Sequence, residues 1–143
     1  MALLWCSEPV KKKGIAMRFK DLKFENLVGV VINNISISYG EHEVRFTLAD
    51  GRIFALFHGQ ECCEHVWVED ISGDLNNLLY TPVTLAEEVV GGCEDNNDTG
   101  GTQTWTFYRI ATANGMVVIR WCGQSNGYYS ERVTFAEVLP TLQ

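Results

Sequence analysis

The segment EVRFTLADGRIFALFH, residues 43–58, decides the fold. Val44, Phe46 and Leu48 alternate with Glu43, Arg45 and Thr47, the period of two that sends one face of a strand to a core and the other to water. Asp50-Gly51 then predicts a hairpin, because this dipeptide tolerates the positive φ angles of tight β-turns. The return strand RIFALFH is apolar at nearly every position, so it is expected to be covered on both faces.

Working outward, HVWVEDI (65–71) reads as a third strand. SGDLNNLLY follows with Ser72 or Asp74 as an N-cap and Leu75, Leu78 and Leu79 at helical spacing, stopped by Pro82. VTLAEEVV (83–90) fits a strand or a short helix, and GGCEDNNDTGG (91–101) is a loop by composition. TWTFYRIATANGMVVIRWCG forms a second hairpin turning at Asn114-Gly115, and NGYYSERVTFAEV (126–138) reads as the last long strand. Upstream, residues 20–26 read as a short helix or turn before the β-rich stretch 30–37. Residues 43–71 and 106–138 share one plan: strand, Asp-Gly or Asn-Gly, strand, HGQ or CGQ, loop, strand. The expectation is an α+β domain dominated by antiparallel β, with two related β-meander units and one or two short helices. On that plan the HGQ and CGQ loops occupy equivalent places near a pseudo-twofold.

The chain has 143 residues, enough for one domain, expected over 17–143. Residues 1–16 lack periodicity and are expected to be a disordered extension or a misplaced start. Met17 opens a natural beginning, and KKKGIA just upstream is what a purine-rich ribosome-binding site gives when translated. The net charge of −7 argues against direct nucleic-acid binding, which needs clustered Lys and Arg. No apolar run approaches the length of a membrane span, so no membrane partner is expected. Five cysteines without framework spacing point to free thiols in a reducing cytoplasm. Cys62 and Cys63, as strand neighbours, are expected to face opposite ways and not to bridge.

FHGQECCEHVWVEDI (57–71) looks reactive. His58, Cys62, Cys63 and His65 offer metal-ligating atoms, but their spacing fits no zinc motif, so no metal and no cofactor is expected. A cysteine enzyme using Cys62 or Cys63 with His58 or His65 is the alternative reading, weakened by Glu61 and Glu64, which disfavour a thiolate. DNNDTG (95–100) begins like an EF-hand loop but has Thr106 where the bidentate Glu belongs. The stronger grouping is RWCGQSNGYYSERVTF (120–135). Arg120, Trp121, Gln124, Ser125, Asn126, Tyr128, Tyr129 and Arg132, joined by Gln60 from the first loop, collect the forks, amides and ring faces that anionic or nucleotide-like ligands use.

The segments FHGQECCEHVWVEDISGDL and TWTFYRIAT…GMVVIRWCGQSNGYYSERVTF resemble an uncharacterised family of small phage and bacterial proteins. Its members carry H-x-Q-x-CC…DI-x-GDL and TWTFY-x-I…IRW-x-G-x-SNGYYSE patterns, matched here across residues 24–138. The matching positions include His58, Gln60, Cys62, Cys63, Asp70, Asp74, Arg120, Trp121, Ser125, Asn126, Tyr128 and Tyr129. The resemblance implies a phage accessory protein of the bacterial host cytoplasm. The combined expectation is a non-enzymatic, homo-oligomeric protein that binds a host component: a nucleotide-like defence signal or a defence protein. An acidic DNA mimic or structural interaction protein is the further alternative.

Overall fold

The computed structural model describes residues 15–38, 40–96 and 101–142. Nine strands account for most of them: β1 (Ile15–Asp21), β2 (Ile32–Ile37), β3 (Glu43–Leu48), β4 (Ile53–Phe57), β5 (His65–Ser72), β6 (Leu85–Asn96), β7 (Gly101–Thr112), β8 (Gly115–Ser125) and β9 (Thr134–Leu142). They form two antiparallel sheets, ordered β1-β9-β4-β3-β2 and β5-β8-β7-β6. Helical structure among the described residues is confined to two 3-10 turns, Phe24–Leu27 and Leu75–Leu78. The leucine spacing of 75–79 therefore gives a single tight turn. Asp74 caps it by accepting the Asn76 N–H at 2.9 Å. Asp74→Ala is expected to cost about 1 kcal/mol, the usual value of an N-cap, read from a denaturant midpoint.

Both expected hairpins form, β3–β4 turning at Asp50-Gly51 and β7–β8 one residue earlier than read, at Ala113-Asn114, because Thr112 pairs with Gly115. What joins them is non-local. Strand β5 leaves the first hairpin's sheet and pairs with β8, while β9 leaves the second hairpin's sheet and pairs with β4. The order β9-β4-β3-β2 thus matches β5-β8-β7-β6, strand for strand. Each unit completes the other's sheet, so neither unit can close its core alone.

The core lies between the sheets. Val44, Phe46, Leu48, Phe54, Leu56 and Phe135 from one meet Val66, Val68, Tyr108, Ile110, Val117, Ile119 and Trp121 from the other. Phe135 is the hub, with ring centroids of Phe24, Phe54 and Phe46 at 5.0, 5.5 and 6.4 Å. The unbroken apolar run of β4 follows from its position. Phe54 and Leu56 enter the main core, while Ala55 and Phe57 join Ala136 and Val138 in a second cluster on the opposite face of the sheet.

Two sequence readings change. Gly91–Asn96, read as loop, continues β6; the register slips between Val90 and Cys93, so the Gly-Gly pair is absorbed as a bulge. Residues 126–133, read as strand, leave the sheet, and pairing resumes only at Thr134. Of residues 1–16, Ile15 and Ala16 pair with Leu142 and Thr141, and 1–14 lie outside the described residues. So does most of DNNDTG, at 97–100. Among the described residues no helix is long and apolar enough to cross a membrane.

Candidate functional site

The two crossovers between sheets, 58–64 and 126–133, meet at one corner, and their side chains build it. In the first, the Glu64 carboxylate gathers three donors: the Glu61 N–H at 2.8 Å, the Cys62 N–H at 2.9 Å and His58 Nε2 at 2.7 Å. The imidazole and carboxylate are 5% and 0% exposed, so this is a desolvated pair. Burial on its own would push the Glu64 carboxyl up; the bonds from His58, Cys62 and Glu61 outweigh it and bring it down to about 2. The other imidazole nitrogen, Nδ1, lies 2.7 Å from the Arg132 carbonyl oxygen. Both ring nitrogens thus face acceptors, and His58 staples one crossover to the other. The contact runs from the HGQ segment to Arg132; CGQ itself is not a loop but the end of β8.

The second crossover is shaped by its own short polar side chains. Gly127, at φ +95°, turns the chain off β8, with its N–H on Ser125 Oγ at 3.0 Å. Asn126 Oδ1 accepts the Tyr128 N–H at 2.9 Å and Ser130 Oγ accepts the Arg132 N–H at 3.1 Å. The loop then crosses the inner face of the second sheet over Gly123. A Cβ there would come within 2.7 Å of the Glu131 Cβ and 3.0 Å of its carbonyl oxygen, so only glycine lets the loop settle. Thr102 Oγ1 donates to Glu131 Oε2 at 2.6 Å and fixes the far side.

Between this loop and the sheet is a cleft of about 440 Å³. Its floor is the column Thr102, Thr104 and Thr106 on β7, with Glu88 and Val90 from β6; its wall is Tyr129 to Val133. Tyr108 Oη donates to Glu88 Oε2 at 2.6 Å. Burial, and then the Glu88 carboxylate, raise the phenol well above its ordinary value, while Arg132 pulls it down. The Arg132 guanidinium makes no ion pair or side-chain hydrogen bond among the described residues.

The predicted binding residues divide. Tyr129 and Arg132 line the cleft, and Ser125 and Asn126 shape the loop beside it. Tyr128 is 82% exposed and stands edge-on to Tyr129. Trp121 is core, with no hydrogen-bond partner for Nε1 among the described residues. Arg120 and Gln124 lie on the opposite face of the sheet. Arg120 pairs with Glu69 at 2.5 Å beneath a stack on Trp105, and Gln124 donates to Gln103 at 2.6 Å. Gln60 is used inside its own loop, donating to the Glu64 and Cys62 carbonyls at 2.6 and 3.2 Å.

The reactive-looking residues are not brought together as a nucleophile and base. Cys62 and Cys63 lie on an exposed bend, and the structure joins them in a disulfide, which corrects the expectation of two free thiols facing opposite ways. The strand argument fails there because Glu64 has already curled the chain off β4. His58 has both nitrogens engaged, and His65 stacks on Trp67 on the outer face of the second sheet, where burial and then His42 lower its basicity. Cys122 is buried; desolvation, then Glu69 and Glu131, raise its thiol to about 11, so it is inert. Among the described residues no group of three or more His, Cys, Asp or Glu is placed to hold a metal ion.

Sequence reasoning missed Glu88, Glu131 and the threonine column. The signal was present in TQTWT, where Thr102, Thr104 and Thr106 recur at period two and must share a face.

Fold and corner together define a class: an interleaved two-sheet β domain with a cleft where its crossovers meet. Residues 23–135 match the model of a domain of unknown function (DUF7448), and the chain belongs to that family. No curated protein and no solved structure matches the chain.

Proposed function

We propose that the protein is a non-enzymatic binder of a small anionic, nucleotide-like ligand, held in the cleft beside Tyr129 and Arg132. The observation that carries this is a guanidinium with no ion pair among the described residues, beside an aromatic ring on a cleft of about 440 Å³, within the usual size of small-ligand sites. The cleft adds hydroxyls from Thr102, Thr104, Thr106 and Ser130, the mixture that orients a polar ligand without reacting with it. The same proposal makes this a phage accessory protein that sequesters a host defence signal in the bacterial cytoplasm, on the strength of the motif resemblance. The edge strand β6, with Val89 and Val90 exposed on it, supports self-association into a homo-oligomer.

The test is a thermal-shift panel of ADP, ADP-ribose and cyclic dinucleotides. A ligand at a hundred times its Kd stabilises by about 2.7 kcal/mol, a shift readily seen. Arg132→Ala is expected to abolish the shift and Arg120→Ala to keep it, because Arg120 is spent on Glu69 and Trp105 across the sheet. Loss of the shift with Arg120→Ala alone would move the site to the outer face.

A further inference from the structure

Glu88 and Arg132 line the same cleft and carry opposite charges, and among the described residues they form no ion pair with each other. Both are positioned by neighbouring groups. Tyr108 Oη holds Glu88 Oε2 at 2.6 Å. His58 holds the Arg132 carbonyl at 2.7 Å and Ser130 Oγ holds its N–H at 3.1 Å.

An ionised carboxylate only accepts hydrogen bonds and a guanidinium only donates them. The group that meets Glu88 must therefore donate, and the group that meets Arg132 must be an acceptor, best an anion. A bare anion such as inorganic phosphate would face repulsion from Glu88 and Glu131, and a bare cation would face Arg132. A matching ligand carries hydroxyls at one end and an anionic group at the other, separated by a small polar ring that can lie along Thr102, Thr104 and Thr106.

We propose that the cleft selects ribonucleotides, Glu88 accepting the 2′- and 3′-hydroxyls of the ribose while Arg132 holds the phosphate. This rests on the nucleotide-binding reading and adds the specificity to it: Glu88 is the residue that separates ribose from deoxyribose. Removing the 2′-hydroxyl takes a charge-assisted hydrogen bond from the Glu88 carboxylate, a loss of about tenfold in affinity.

Isothermal titration of the full chain with ADP, 2′-deoxy-ADP and inorganic phosphate tests it. The expected result is ADP binding at least about tenfold tighter than 2′-deoxy-ADP, with phosphate weaker still. Glu88→Gln should weaken ADP by a similar factor and erase the preference. Its amide oxygen still accepts from Tyr108, and an unchanged melting temperature would confirm that the fold is kept. Equal binding of ADP and 2′-deoxy-ADP by the unaltered protein would overturn the ribose assignment and leave nucleotide binding standing. Binding of neither would overturn the ribose assignment, and with no thermal shift from ADP-ribose or the cyclic dinucleotides it would overturn the nucleotide reading as well. Phosphate binding as tight as ADP would also overturn the assignment.

Discussion

Glu64→Ala is expected to lower the unfolding free energy by about 3–5 kcal/mol, the cost of breaking a buried pair from one side. The carboxylate satisfies His58 Nε2 and the N–H groups of Glu61 and Cys62, all at 2.7–2.9 Å. Alanine leaves the imidazole nitrogen without its acceptor in a desolvated pocket and releases the curl that turns the chain from β4 to β5. The pH dependence carries a matching signature. Glu64 is held at about 2 in the folded protein against an ordinary 4.5, so its contribution is complete above about pH 4.5. The contribution fades as pH falls from there toward 2. Chemical denaturation across pH 2–6 should show an acid-sensitive limb in the unaltered protein and a flatter one in Glu64→Gln. An alanine variant within about 0.5 kcal/mol of the parent, the range of an ordinary surface change, would show that the staple holds nothing.

Gly123→Ala is expected to cost about 1–3 kcal/mol, the usual penalty for overfilling a packed site. It should remove ligand binding at the same time. The added methyl would sit 2.7 Å from the Glu131 Cβ and 3.0 Å from its carbonyl oxygen, a backbone atom that cannot swing aside. Relief requires the 126–133 loop to lift from the sheet. That would break the Thr102–Glu131 bond and move Tyr129 and Arg132 off the cleft. Gly59 is the control: nothing lies within 4 Å of a Cβ there, so Gly59→Ala should leave both stability and binding nearly unchanged. The two glycines of the HGQ and CGQ segments hold matching places in sequence, yet only one carries a packed loop.

The strands and hairpins were legible because they are local. Alternation at 43–48 and the Asp-Gly and Asn-Gly turns follow from neighbouring residues, and the all-apolar β4 signalled a strand buried on both faces. The exchange of β5 and β9 between sheets was not legible, since no local pattern says which sheet a strand joins. YYSERVTF alternates like a strand, but Asn126, Gly127 and Ser130 give the chain local hydrogen bonds that outcompete the ladder. The Arg120–Arg132 grouping failed for a reason visible in the sequence. Arg120 and Trp121 are strand neighbours and must face opposite ways, so a cluster using both had to divide. Glu88 was invisible because its role depends on Tyr108 across the β6–β7 pairing.

A ligand held in the corner cleft should be located by amide chemical-shift mapping during an ADP titration. Saturable shifts are expected at Glu88, Thr102, Thr104, Thr106 and residues 129–133, with the side-chain N–H groups of Trp67, Trp105 and Arg120 on the outer face unmoved. Shifts confined to Trp67, Trp105 and Arg120, or no saturable shift anywhere, would contradict that placement.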